Sequence, residues 1–536
     1  MDNADRADTS HPPDAPRDRT GPAGTSAEGS GGMLRIGTAP GRWTILAMVL
    51  GSGIATLDGT VVGIALPAIG RQFHADVASL QWVVTGYTLS LAGLLLLGGA
   101  LGDRFGRRRM FVVGVVWFAA ASLLCGIAPS AGVLVGARIL QGVGGALLTP
   151  GSLAILEASF VPQDRSKAIG AWSGFGGVAS AIGPFLGGWL IEAVSWRLVF
   201  GINLPLAIIV CAIAIRHVPE SRDPSVTGRL DYLGAALITL ALTGLTFGLI
   251  QAGSSGWTAP AVVGPLGAGA VLLGLFLATE ATRAQPMLPL SLFRSRQFSA
   301  ANAVTFVVYA ALAGGLLLLP VELQIVAGYS PIAAGAALLP VTFIMLALSA
   351  GSGALATRIG PRLQMSVGPI VVAVGMVMLT RIGPTATGTG GYLTTVLPGV
   401  VVYGLGLAIN VAPLTSTVLA AAPPEHAGVA SAVNNDVARI AGLIAVAVLP
   451  VAAGISGTAY LDPVRLDHGF TTALLIAAGL CVAGGLLAAA TIRNPAKLRR
   501  AKVLIPTGSH CALDGPPLRG STSIGPSAAD ATTTPG

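Results

Sequence analysis

A chain of 536 residues in which 53% are hydrophobic and only 10% charged, with a mean hydropathy of +0.76, is too apolar for a water-soluble globule, whose charged fraction is nearer about a quarter. The composition defines a polytopic membrane protein. A formal net charge of +8 does not point to nucleic acid, because the Arg and Lys fall in short breaks between apolar runs, where anionic lipid on the cytoplasmic face accounts for them.

Residues 1–41 are rich in Asp, Arg, Pro, Gly and Ser, a composition that does not offset its ordering entropy, and are expected to form a disordered cytoplasmic tail. From Trp43 onward about fourteen apolar runs follow, each long enough to span a bilayer at 1.5 Å per residue. Their limits lie at about 43–66, 80–101, 110–128, 131–156, 168–191, 198–215, 231–252, 261–281, 298–325, 332–356, 364–382, 392–420, 428–452 and 469–491. The 73 glycines suit such an all-helical protein, since small residues let membrane helices approach closely. Residues 494–536 form a basic stub and a Gly, Pro, Ser and Thr tail, also expected to be disordered.

The charges between the runs test the count. One set of breaks carries Arg104, Arg107, Arg108 and Arg109; Arg165 and Lys167; Arg216, Arg222 and Arg229; Arg283, Arg294 and Arg296; Arg358 and Arg362; and Arg493, Lys497, Arg499 and Arg500. The alternate breaks hold only isolated Arg71, Arg197, Arg381 and Arg465. The positive-inside rule therefore puts both termini in the cytoplasm of a cell whose inner membrane holds the protein. An internal repeat is visible too: Gly99, Arg104 and Gly106 recur as Gly353, Arg358 and Gly360 at identical spacing, with Thr357 in place of Asp103. Two related halves around a central site are the usual plan of secondary transporters.

Two charges stand deep in predicted spans. Asp58 lies in the first, and a carboxylate there costs about 2.5–3.5 kcal/mol unless it faces a cavity or a partner. Asp58 is expected to line a central cavity and to take and release a proton. Arg138, in the fourth span, lies at the same depth of roughly 10–12 Å below the outer surface, so the two can meet. Arginine keeps its charge and biases the protonation of a neighbouring carboxylate; a permanent structural pair is the alternative. Asp436 and Arg439, three residues apart in the thirteenth span, share a helix face. Mutual neutralisation is the first reading for them and a second proton or cation site the other. Glu157, Glu280 and Glu322 fall near span ends, where snorkelling explains them. In the fifth span Gly176, Ser180, Gly183 and Gly187 line one face on which another helix can slide, and Pro184 allows a bend.

The six histidines lie in loops or tails, and the four cysteines (Cys125, Cys211, Cys481 and Cys511) show no metal-ligand spacing. No G-x-x-x-x-G-K-[ST] loop is present. Neither a metal, a nucleotide nor another cofactor is expected, no protein partner is evident, and an intramembrane enzyme is disfavoured.

Several stretches resemble the major facilitator superfamily. Gly99 through Arg109 is similar to its signature loop between helices two and three, which implies that Asp103, Arg104, Gly106 and Arg107 form a cytoplasmic latch favouring the outward-open state. Leu134 to Gly144 resembles its fourth-helix signature, in which the arginine is implicated in proton coupling. Gly183-Pro184-Phe185-Leu186-Gly187-Gly188 resembles the element marking antiporters. Leu57-Asp58-Gly59-Thr60 with Ala65-Leu66-Pro67 resembles the first helix of the fourteen-spanning drug:proton antiporters of the EmrB/QacA type, with Gly63 where Asn is more frequent. Trp196-Arg197, Asn203, Pro205, Leu319-Pro320 and Gln324 are similar as well.

The resemblance covers about residues 43–493 and implies a six-helix half at 42–217, two additional helices within 218–284 and a second six-helix half at 285–493. It further implies efflux of lipophilic or cationic small molecules, including antibiotics, driven by protons across the bilayer. A facilitator or symporter of a small metabolite, or a non-transporting membrane sensor, remains the alternative.

Overall fold

A computed structural model describes residues 33–222, 230–283, 286–423 and 427–494; the side-chain surroundings of 166, 173, 174, 176–181 and 427 are outside the description. Fourteen long helices carry the chain: α1 (Ala39–Phe73), α2 (Val77–Phe105), α3 (Arg107–Gly126), α4 (Ala131–Ser159), α5 (Pro162–Ala193), α6 (Leu198–His217), α7 (Tyr232–Ser255), α8 (Pro260–Thr282), α9 (Arg296–Ile325), α10 (Pro331–Ile359), α11 (Pro361–Leu379), α12 (Gly388–Ala420), α13 (Ala427–Ala452) and α14 (Pro463–Thr491). Among the described residues thirteen are long and apolar enough to cross a membrane. The fourteenth, α5, has the length at 32 residues, and part of its side chains are undescribed. The helices thus match the fourteen predicted spans in order, although α1 extends several residues beyond its apolar run at both ends.

The tail expectation needs correction at one boundary. Residues 33–41 are built into the fold, because Leu34 pairs with the backbone beyond α4 (Leu34 N to Ser159 O, 2.7 Å; Val161 N to Leu34 O, 3.1 Å) and Leu34 and Ile36 pack on apolar neighbours. Thr38 then caps α1. Residues 1–32 and 495–536 lie outside the described residues.

Packing sorts the helices. α1 lies against α5, α6 and α4; α2 and α3 both pack on α4; α11 sits between α12 and α14; and α9 packs on α13 and α14. α7 lies over α2 and α13 and carries α8 on its far side, with Leu242 of α7 buried among Leu89, Ala92 and Leu443. The two additional helices therefore cover a seam between α2 and α13 instead of contributing to the centre.

The faces differ in what joins them. On the side with few basic residues, Gln81 Nε2 donates to Val446 O (2.7 Å), Gln324 Nε2 to Ile64 O (3.1 Å), and Tyr460 OH to Ala75 O (2.7 Å). Val77 N donates to Gly457 O (2.8 Å). Gly188 of α5 lies against Pro331 and Ile332, and Gly335 of α10 against Pro184, each so close that an added Cβ would sit 2.6 Å from neighbouring backbone. This side is sealed. On the side of the basic breaks a cavity of about 1140 Å³ opens between the helices.

Candidate functional site

The blind end of that cavity is built by α1, α2 and α4. Close helix approach sets it: a Cβ on Gly144 would come within 2.6 Å of the Phe118 backbone of α3, while Ser90 of α2 donates to Ile139 O of α4 at 2.8 Å. α4 is thereby drawn in, and Arg138 and Gln141 are turned toward α1. There Arg138 Nη1 is hydrogen-bonded and ion-paired to Asp58 Oδ2. The pair anticipated from depth alone is present.

The ion pair has company that sequence reasoning missed. Asp58 Oδ1 accepts from Gln141 Nε2 (2.8 Å) and from Asn203 Nδ2 of α6 (3.1 Å). Both donors also reach Ser122 Oγ of α3, at 2.6 and 3.0 Å. Gln141 Oε1 accepts from Arg138 Nη1 (2.6 Å), and Arg138 Nε donates to Val83 O (3.0 Å). The guanidinium stacks 4.5 Å from the Tyr87 ring. Asp58, Gln141 and Asn203 are fully enclosed and Arg138 is 1% exposed. Such a network is what a buried ion pair requires, since Coulomb attraction offsets desolvation only when the remaining lone pairs and protons are bonded.

One expectation changes here. Asp58 does not line the cavity: its neighbours Thr56, Gly59 and Thr60 do, and so does Arg138. Helix rotation places the carboxylate behind the wall, between α1, α3, α4 and α6. Arg138 borders both the carboxylate and the cavity, so access to Asp58 runs past the guanidinium.

Asp436 and Arg439 also depart from the first reading. No ion pair joins them among the described residues, Asp436 Oδ1 is enclosed without a hydrogen-bond partner, and so is Arg439 Nε. Sharing a face puts their backbones one turn apart, but Arg439 reaches the cavity while Asp436 is 8% exposed. Glu280 and Glu322 do not snorkel either. They are 2% and 0% exposed: the chain beyond α8 folds back over Glu280, with Leu288 N donating to its Oε2 at 2.7 Å, and Glu322 lies one residue before the point where the chain beyond α9 turns back, Tyr329 N to Leu323 O at 2.8 Å. Glu157 is exposed at the cavity mouth.

In the loop between α2 and α3, Asp103 Oδ1 and Arg107 Nε pair at 2.8 Å, and Gly106 turns the chain at φ +113°, a region costly for other residues. Gly99 and Asp103 border the cavity. Glu220, unremarked in the sequence, caps α3: its carboxylate accepts from Arg108 N (3.0 Å) and Arg109 N (3.2 Å), as an anion at a helix N-terminus should. The internal repeat extends to this detail. At Gly360 (φ +88°) Asn494 Oδ1 accepts from Arg362 N (3.0 Å), so the segment after the last helix of each half caps the third. Glu220→Ala is expected to cost about 1 kcal/mol, seen as a lower midpoint of thermal unfolding in detergent; an unchanged midpoint would show the cap to be incidental.

In α5, Gly183 and Gly187 face Thr60 and Val61 of α1, and Gly188 faces α10. The packing of Gly176 lies outside the described residues. Among the described residues no group of three or more His, Cys, Asp or Glu is placed to hold a metal ion.

A sealed seam on one face, a deep cavity opening on the other and a buried ion pair at its blind end define a multi-pass membrane transporter. The chain belongs to the Major Facilitator Superfamily, whose family profile matches residues 48–446. It is similar to a probable actinorhodin transporter of Streptomyces coelicolor, 38% identical over 460 residues that cover 84% of this chain and 77% of that protein. A puromycin resistance protein of Streptomyces alboniger is 36% identical over 467 residues, covering 84% and 92%. The multidrug efflux pump LfrA of Mycolicibacterium smegmatis is 32% identical over 471 residues, covering 87% and 91%.

Solved structures share the fold: the POT family transporter PepTSo has a TM-score of 0.60 at 13% identity over 83% of this chain and 97% of that one. A D-xylose-proton symporter has a TM-score of 0.59 at 15% identity over 84% and 98%. The protein is a transporter and not an enzyme.

Proposed function

We propose that this chain exports lipophilic small molecules, antibiotics among them, from the cytoplasm in exchange for protons. In this reading residues 42–217 and 285–493 are the two halves that rock against each other, residues 218–284 are an inserted helical pair, and both termini are cytoplasmic in the inner membrane. The names of the relatives support export, and the basic breaks on the open face support an inward-open state.

The observation that carries proton coupling is a carboxylate enclosed by three polar partners, separated from the cavity by the guanidinium that neutralises it. Protonating Asp58 removes its charge and frees Arg138 toward the cavity; deprotonation restores the pair. In the opposite conformer Asp103, Arg104, Gly106 and Arg107 serve as the latch, with the Asp103–Arg107 pair remade against the other half. Gly176, Gly183, Pro184, Gly187 and Gly188 provide the small-residue surface on which α5 moves. The electrical part of the gradient supplies about 2.3 kcal/mol per charge per 100 mV.

Everted vesicles with an acidic interior test the proposal. Adding an exported compound, with puromycin and tetracenomycin C in the first panel, is expected to dissipate the acidity in wild-type vesicles and not in vesicles lacking the protein. Uptake without proton movement would reduce the protein to a facilitator.

A further inference from the structure

The cavity shows its occupant a charge beyond that of the Asp58–Arg138 pair. Its ionisable lining residues are Asp103, Arg107, Glu157 and Arg165 at the mouth, and Arg138 and Arg439. At the mouth two acids meet two bases, with Asp103 and Arg107 paired at 2.8 Å and Arg165 Nε bonded to Phe160 O at 3.0 Å. Deeper in, Arg138 is matched by Asp58. Arg439 alone is unmatched by contact: no hydrogen bond or ion pair reaches it among the described residues.

Its place is the blind end. Arg439 lies about 18 Å along α13 from its start and lines the same cavity as Tyr87, and Tyr87 lies under Arg138. Asp436, the one acid nearby on α13, is enclosed behind the wall and contributes no lining atom. Among the described residues no carboxylate lines the deep cavity to receive a cation. The remaining surface there is Tyr87, Val84, Leu95, Thr88 and the small residues of α1, which suits flat apolar bodies.

We infer that the preferred cargo is an amphipathic organic anion, an apolar or aromatic body bearing one ionised carboxyl, sulfonate or acidic phenol group, and that Arg439 is the counter-ion that receives it. This rests on the transport reading for its biological meaning and narrows the expected lipophilic or cationic cargo to a lipophilic anion. A half-buried guanidinium suits the task, since it stays charged and presents several donors to a planar anion.

Two measurements separate this inference from the transport reading. Asn435 lines the cavity one turn from Arg439 and is exposed. In Asn435→Cys, with the parent chain as background, the thiol is treated with an anionic (sulfonatoethyl) and a cationic (trimethylammonioethyl) methanethiosulfonate. The anionic reagent is expected to be favoured relative to a free thiol in solution. Arg439→Gln should lower the anion-to-cation rate ratio about tenfold, the effect of one charge at a helical turn's distance, and Arg439→Lys should preserve it. A ratio that favours the cation, or one unmoved by Arg439→Gln, overturns the inference whether or not transport is seen.

In everted vesicles fluorescein and ethidium serve as anionic and cationic probes. Arg439→Gln is expected to reduce proton-linked fluorescein movement at least tenfold relative to ethidium, with partial recovery in Arg439→Lys. Equal loss of both probes would show a structural role and overturn the assignment. Absence of proton-linked movement of any compound would instead sink the transport reading, leaving the rate ratio to decide the charge of the site.

Discussion

Asp58→Asn is expected to abolish proton-linked flux in everted vesicles while Asp436→Asn leaves most of it. The amide keeps the shape of the carboxyl and can still accept from Gln141 and Asn203, so the loss would report charge and proton exchange, not packing. It should also destabilise the protein by about 3–5 kcal/mol, because Arg138, 1% exposed, is left as an uncompensated buried cation. Asp58→Asn combined with Arg138→Gln removes both charges and is expected to recover much of that stability, read as the midpoint of thermal unfolding in detergent, without recovering flux. Flux that survives Asp58→Asn, or that returns in the double variant, would demote the pair to a structural strut.

A second large effect is expected at the sealed face. Gly188→Val places two methyl groups where even a Cβ would sit 2.6 Å from the Ile332 backbone, and backbone cannot swing aside as a side chain can. Overpacking of this kind costs about 1–3 kcal/mol, charged here only to the conformer in which α5 and α10 touch. The equilibrium should move by about ten- to a hundredfold toward the outward-open form. Leu66, 3% exposed beneath the seam, supplies the readout: in Leu66→Cys the thiol should react with a membrane-impermeant maleimide from outside far faster when Gly188→Val is present. An unchanged rate would show that this contact does not govern closure.

How much could be read in advance follows from what each feature costs. Asp58 and Arg138 were visible because a charge in hydrocarbon is expensive and must be explained, and the helices because apolar length is written directly in the sequence. Gln141 and Asn203 bond the same carboxylate and share Ser122 Oγ, yet amides and hydroxyls are common in spans and carry no comparable signal; only the placement of the two amides within the same motifs as Arg138 and Pro205 hinted at them. Glu220 and Asn494 act on backbone N–H groups more than a hundred residues away, a relation no local pattern encodes. Asp436 and Arg439 show the limit of periodicity. A shared helix face fixes where two side chains start, while neighbouring helices decide where each ends. Glu280 and Glu322 fail for a related reason: nearness to the end of an apolar run gives depth, and whether the following loop doubles back over the residue is a tertiary matter.

The caps also set where the polypeptide can be altered. Asn494, three residues beyond the end of α14, is the last of the described residues and engages the rest of the fold through Arg362 N at 3.0 Å and Ile359 O at 3.4 Å. A fluorescent reporter spliced on after it leaves the clasp on α11 intact. One joined directly to Thr491 would discard it and leave the N-terminus of α11 uncapped.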